Sequence, residues 1–215
     1  MVPRMRHKGL FRIKLMENIS KLKMPDGFDH QAFLSIDSTN KEAMRRIEAG
    51  EGKSGLWLTA TAQSGGRGRG DREWVSEPGN LYSSLIYDTG KNVYKSAQLS
   101  FVTSLAVRDT VAEFINDKSA AKCKWPNDVL IYDKKISGIL LETCSTINQG
   151  SHYIIIGIGI NIMHHPDATI YPTTHLNELS DREFNHVDVF NILVQKMAHW
   201  LNMWHVEGFS TIREK

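Results

Sequence analysis

An α+β domain is the fold that this 215-residue sequence predicts. Three observations predict it. Short apolar runs set off by turn-forming residues occupy the middle of the chain, one helical-period pattern runs over 96–116, and a second runs over 188–204. Hydrophobic residues make up 41% and charged residues 23%, a globular balance in a chain long enough for one sizeable core.

Each element has its own signal. Ser38 or Asn40 can cap a helix over 40–49, which Gly50 and Gly52 end. Leu56–Ala60 is a short apolar strand. Five glycines between 65 and 79 make the next segment a loop, and Asn80–Tyr87 follows as a strand. Leu99, Val102, Leu105, Ala106 and Phe114 support the helix over 96–116. A polar turn over 122–128 leads into the strand Val129–Tyr132. Asp133-Lys134-Lys135 is the hairpin turn and Ile136–Thr143 the returning strand. Tyr153–Ile162 is unbroken apolar sequence, which predicts a central strand covered on both faces. Val189, Leu193, Met197, Trp200 and Trp204 recur at helical spacing, so both tryptophans read as core rather than as ligand-stacking groups.

The net charge is +2, so the chain as a whole lacks the footprint of a nucleic-acid binder. The basic excess is local: Arg4, Arg6, Lys8, Arg12, Lys14, Lys21 and Lys23 form a solvated lead-in. Cys123 and Cys144 make no CxxC pair, which suggests neither zinc nor a redox couple and fits a reducing compartment. No signal-like segment opens the chain, and no run approaches the about 18 apolar residues of a membrane span. A cytoplasmic protein with no membrane partner is expected.

Gly66-Arg67-Gly68-Arg69-Gly70-Asp71-Arg72, with Trp74 close behind, is the densest chemical signal. Glycines let backbone N–H groups approach a ligand, and guanidinium forks neutralise phosphate or carboxylate charge. A basic surface loop and an arginine–glycine nucleic-acid contact are the other readings. The segment is no Walker loop, lacking GKS or GKT, and no dinucleotide fingerprint. A second constellation joins Lys122, Lys124 and Lys135 to Asn127 and Asp128. Trp125, before Pro126, is either a core anchor or a pocket wall. Gly157, Gly159 and Asn161 share one face of a strand, where glycine allows a close approach of ligand or backbone. His164, His165 and His175 lack a supporting cysteine or carboxylate spacing, so they do not read as a zinc site.

Taken together and in order, these motifs resemble the catalytic domain of biotin protein ligases. The resemblance is carried by Ser38-Thr39-Asn40, Gln63 to Arg69, Trp74, Gly79-Asn80-Leu81-Tyr82, Lys124-Trp125-Pro126-Asn127-Asp128, Lys135, Gly138-Ile139-Leu140 and Gly157 to Asn161. It is dense over 33–165 and looser over the late helix. It implies a mixed sheet flanked by helices, as in class II aminoacyl-tRNA synthetases and lipoate ligases. It implies that biotin and ATP form biotinyl-5′-AMP with Mg²⁺, and that biotin then passes to a lysine of a biotin carboxyl carrier protein or domain. A lipoate or octanoate ligase-like enzyme and a degenerate, non-catalytic biotin- or carrier-binding protein are the alternatives.

The resemblance also implies roles. Ser38, Thr39 and Asn40 line the biotin pocket, with Gln63 near the ureido ring. Gly66, Arg67, Gly68 and Arg69 belong to the loop that closes over the adenylate, and Arg69 guards it against early release. Arg72 meets phosphate, and Trp74 packs near the adenine. Asn127 and Asp128 sit near the phosphates, with Asp128 as Mg²⁺ ligand and as an aid to the attacking amine. Lys135 contacts the biotin carboxylate and α-phosphate, Gly138 and Leu140 shape the pocket, and Asn161 faces the nucleotide. The implied organisation is a lead-in and first element over 1–32, the catalytic domain over 33–207, and the start of a C-terminal segment over 208–215. It includes neither a winged-helix repressor domain nor the small C-terminal β-barrel. Asp71 stands where the family often has glycine. An edge strand leaves a homodimer open.

Overall fold

The computed structural model describes residues 22–90, 95–145, 152–166 and 171–215. The basic residues before Leu22 and the side chain of Asp71 lie outside the described part. Seven strands form one sheet: β1 (Asp29–Phe33), β2 (Leu56–Ala60), β3 (Leu81–Asp88), β4 (Ala121–Lys124), β5 (Asp128–Ile131), β6 (Lys134–Ser145) and β7 (His152–Ile160). The helices are α1 (Thr39–Glu48), α2 (Lys95–Ala112), α3 (His186–Glu207) and α4 (Phe209–Arg213). Strand order is β1-β2-β3-β7-β6-β5-β4. β1 and β2 are parallel and every other pair is antiparallel, so the sheet is mixed and the fold is α+β.

β7 occupies the middle of the sheet because both of its faces are apolar. Ile154, Ile156, Ile158 and Ile160 join the large core with α2 and α3. Tyr153 and Ile155 face the other way, onto Ala43 and Ile47 of α1. Gly157 and Gly159 continue that second face, and the cavity opens there.

The helices follow from caps and stripes. The Ser38 side chain accepts from the Lys41 N–H at the start of α1, and Gly50 (φ 78°) lies just past its end. α3 begins with a capping box between Asn185 and Asp188. Its tryptophans are core residues: Trp200 Nε1 donates to Asp109 of α2 at 2.9 Å and Trp204 Nε1 to Gln98 at 2.8 Å. α2 stops at Ala112, short of the expected end, where the Glu113 and Phe114 N–H groups turn back to Thr110 and Val111.

Three expectations near the second constellation are corrected. The segment read as one polar turn contains β4, an edge strand whose Lys122, Cys123 and Lys124 are exposed. Charged edge strands carry no apolar alternation to reveal them. The hairpin turn falls on Tyr132 (φ 49°) and Asp133 (φ 60°), one position earlier than expected, so Lys135 belongs to β6. Such left-handed pairs usually use Asn or Gly, and their absence hides the turn. Trp125 is neither core nor pocket wall, being 74% exposed.

The half-buried site of His30 on β1 gives a test of this core. Its Nε2 meets Thr59 Oγ1 at 2.8 Å, and burial pushes its pKa down to about 4. Below the ordinary value of about 6.5, the unfolded chain takes a proton that native His30 refuses. Stability is expected to fall as pH drops from 6.5 toward 4, by up to about 1.4 kcal/mol per unit from this group. Urea unfolding of His30→Gln should show a shallower decline across that window, and an unchanged slope would contradict the half-buried neutral imidazole.

Candidate active site

A cavity of about 640 Å³ opens on the α1 face of the sheet, a size suited to a small-molecule ligand. Its floor is backbone. Gly138 pairs with Gly159, and Leu140 with Gly157, across β6 and β7. The Trp74 indole lies so close to this floor that a Cβ on Gly159 would fall 2.5 Å from it, and one on Gly138 2.8 Å. A Cβ on Gly157 would meet Asn40 Oδ1 at 2.4 Å. These approaches explain why a strand otherwise rich in isoleucine carries glycine there.

One end of the cavity is built mainly of neutral hydrogen-bonding side chains, with one internally neutralised ion pair, Arg67–Glu142, bonded to them. Ser38, Thr39, Asn40 and Ser84 are all buried. Gln63 Oε1 accepts from the Thr39 N–H at 2.8 Å, and Gln63 Nε2 donates to Ser76 Oγ at 2.9 Å. The Ser84 hydroxyl lies 2.7 Å from Thr39 Oγ1 and 2.5 Å from Asn40 Oδ1. Asn40 Nδ2 donates to Glu142 Oε2 at 2.8 Å, and Arg67 donates to Glu142 Oε1 at 2.8 Å. Glu142 thereby fastens the glycine–arginine loop to α1 and β6. Sequence reading missed it, because nothing local marks a strand glutamate as a bridge.

The other end is cationic. Lys135 and Gly138 are three apart and would face opposite sides of a regular strand. The β5–β6 register shifts between Val129 and Leu130, which pair with Ser137 and Lys135 and leave Ile136 as an extra residue. This bulge brings both Lys135 and Gly138 onto the cavity. The Lys135 ammonium lies 2.6 Å from Asp128 Oδ1, an ion-pair contact outside hydrogen-bond geometry, and 5.5 Å from the centre of the Trp74 ring. The backbone around Lys135 is clasped as well: its N–H donates to Pro172 and its carbonyl accepts from Thr174.

The loop itself is an ordered flap. Gly68 N–H bonds Arg72 O at 2.6 Å and Trp74 N–H bonds Gly66 O at 3.0 Å, with a short 3-10 turn at Arg69–Asp71 between them. Arg69 and Arg72 are exposed at its tip and face the cavity. Every residue expected at the site lines the cavity except two. Gly66 sits behind the flap, where a Cβ would strike Trp74 O at 2.4 Å, and Asp128 lies behind Lys135. Asn127 spends its amide on Ile139 O at 3.0 Å, and Asn161 on Thr174 O at 3.1 Å. Asn80, beyond the expected set, accepts from the N–H groups of Ile162 and Met163 and so holds the segment that leaves β7.

Arg67 Nε, Trp74 Nε1 and His175 Nδ1 are buried without a hydrogen-bond partner, and all lie at or beside this cavity. Orphaned polar atoms gathered in one place indicate a site built for a bound polar group. Asp128 does not fit the expected Mg²⁺ role well. Its carboxylate is already neutralised by Lys135, whereas Mg²⁺ demands free oxygen ligands in octahedral order.

Comparison with known proteins agrees with this geometry. A model described as the biotin/lipoate A/B protein ligase family matches residues 32–161. The chain is 32% identical over 182 residues to a biotin–[acetyl-CoA-carboxylase] ligase of Paracoccus denitrificans, covering 82% of this chain and 75% of that protein. It is 35% identical over 151 residues to the bifunctional ligase/repressor BirA of Escherichia coli (strain K12), covering 70% of this chain but 46% of that protein. Biotin protein ligase from Aquifex aeolicus, solved in complex with biotin and ATP, matches with a TM-score of 0.69 at 28% identity, over 84% of this chain and 73% of that chain. The Leishmania major enzyme, solved in complex with biotinyl-5-AMP, gives 0.69 at 27% identity, over 87% and 81%. The chain belongs to the biotin/lipoate A/B protein ligase family, and within it resembles the biotin protein ligases.

Proposed function

We propose that this chain is an ATP-dependent biotin protein ligase that forms biotinyl-5′-AMP and transfers biotin to a lysine of a biotin carboxyl carrier domain. The observation that carries this reading is one glycine-floored cavity with a neutral hydrogen-bonding end, a cationic end and an arginine flap. The neutral end around Thr39 and Gln63 suits a ureido ring, which offers N–H donors and a carbonyl acceptor. The cationic end suits a carboxylate meeting a phosphate.

In the first step a biotin carboxylate oxygen attacks the α-phosphorus of ATP. The bond to the β-phosphate oxygen breaks and pyrophosphate leaves. Lys135 can keep its ion pair with Asp128 and still aim N–H groups at the two reacting anions. Asp128, committed to that lysine, is then a positioning residue. Mg²⁺ would serve as the counterion that ATP brings, offsetting phosphate charge beside Lys135 and the flap arginines. Trp74 rests where a ligand would cover Gly138 and Gly159, so the flap opens before biotin enters and closes with the indole beside the adenine. Arg69 and Arg72 then cover the phosphate and keep water from the anhydride. In the second step the neutral amine of the carrier lysine attacks the acyl carbon. The C–O bond to AMP breaks, AMP leaves, and the nitrogen loses its proton as the amide forms.

Pyrophosphate release should require both biotin and Mg-ATP, and lipoate should not replace biotin. Absence of release at saturating biotin and ATP would overturn the ligase reading, and release with lipoate instead would favour the lipoate ligase-like one. Lys135→Ala is expected to slow adenylation about 100-fold or more. A wild-type rate in single-turnover assays would remove Lys135 from the reaction. Arg69→Gly should shorten the residence of biotinyl-AMP measured by rapid filtration, and an unchanged residence time would count against the flap as a clamp.

A further inference from the structure

Three side chains to which the proposed ligation assigns no step meet at the wall of the cavity, which His165 lines. His165 lies on the segment leaving β7, His175 precedes the short 3-10 turn Leu176–Glu178, and Glu178 is its last residue. One donor atom from each lies within 4.8 Å of the other two. Glu178 Oε2 is 3.5 Å from His165 Nε2 and 3.5 Å from His175 Nδ1. A charged hydrogen bond would close to about 2.8 Å. The edge of a tetrahedron around an ion with bonds of about 2.1 Å is about 3.4 Å.

The remaining atoms of the cluster are already occupied, and this fixes which atoms face inward. The Thr173 hydroxyl donates its one proton to Pro166 O at 2.9 Å. His165 Nδ1 lies 2.9 Å from that hydroxyl oxygen and 3.3 Å from Pro166 O, so both neighbours call for a proton on Nδ1. His165 Nε2 then presents a lone pair to Glu178. Thr174 Oγ1 donates to Glu178 Oε1, leaving Oε2 for the centre. His175 Nδ1 is buried and has no hydrogen-bond partner. His165 Nε2 and Glu178 Oε2 thus face each other with lone pairs at 3.5 Å, and a cation among the three atoms would relieve that repulsion and give the partnerless His175 Nδ1 a partner. A backbone carbonyl that takes the other ring N–H, as Pro166 O does for His165, is a usual outer-shell partner of a metal-ligating histidine.

We infer that His165, His175 and Glu178 form a site for one zinc-like divalent transition-metal ion. Two imidazoles and a carboxylate suit Zn²⁺ and leave a fourth position for water or another small ligand. The ion would tie the segment leaving β7 to the 3-10 turn, and so brace the backbone at Pro172 and Thr174 that clasps Lys135. Its role is structural support of the cavity wall, without entering the ligation chemistry.

The test uses the full chain, stripped with chelator and titrated with Zn²⁺ and Co²⁺. One equivalent should bind with micromolar or tighter affinity, Zn²⁺ should raise the thermal midpoint, and Co²⁺ should show tetrahedral-strength d–d absorption without thiolate charge transfer. His175→Ala and Glu178→Gln should each weaken binding at least tenfold. Should either variant fail to fold, Zn²⁺ should still protect His165 and His175 of the wild type from diethylpyrocarbonate. The inference is overturned by sub-stoichiometric binding, by wild-type affinity in both folded variants, by absence of protection, or by thiolate bands that move the metal to Cys123 or Cys144.

Discussion

The site depends on a stretch of β-sheet where three glycines leave the backbone bare. Gly138, Gly157 and Gly159 bare the backbone of the β6–β7 pair on one face, and Asn40 and Trp74 close on it within distances that no Cβ would allow. Strand glycines weaken a sheet, because they lose more freedom on folding and pack nothing. Here the opposite face compensates. Ile156, Ile158 and Ile160 are buried against α2 and α3, so the same strand anchors the core and floors the cavity. Its central place in the sheet keeps that floor hydrogen-bonded on both edges.

On this floor the charges are held by unlike means. Lys135 reaches the cavity through a bulge and is steadied by Asp128 and by backbone bonds from the segment after β7. Arg67 is steadied by Glu142, whose second oxygen takes the Asn40 amide. Each cation that points inward is therefore matched to a carboxylate behind it, which limits the repulsion among cations while the cavity holds no anion. Arg69 and Arg72 lack such a carboxylate among the described contacts, and they stand on the flap, where exposure to water supports their charge.

Much of this was legible before the fold was known, and the failures have physical causes. α1, β2 and β7 announced themselves through a cap, a short apolar run and a doubly buried isoleucine pattern. β4 did not, because an edge strand built of lysines reads as loop. The Tyr132–Asp133 turn was displaced by one residue, because its left-handed positions carry neither glycine nor asparagine. The bulge that aims Lys135 has no local sequence mark at all, so a residue chosen by family resemblance reaches its place by a device that periodicity would have denied. Glu142 and Glu178 were missed for a shared reason. Each is an ordinary glutamate until topology brings it against a partner far along the chain or across a turn.

The two ends of the cavity differ in rigidity as well as in charge, and the difference suits a two-substrate reaction. The neutral end is built from the first turn of α1 and from β3, with its hydroxyls and amides buried and satisfied by one another. A group that competes for those hydrogen bonds must match them, so recognition there is fixed in advance. The cationic end is built from a strand bulge, a clasped loop and a flap whose arginines are exposed, and it can rearrange as phosphate arrives. A cavity rigid at both ends would struggle to admit a nucleotide beneath Trp74, and one loose at both ends would not tell biotin from another small carboxylate. On the proposed reading, discrimination falls to α1 and Gln63, and closure to the segment from Gly66 to Trp74.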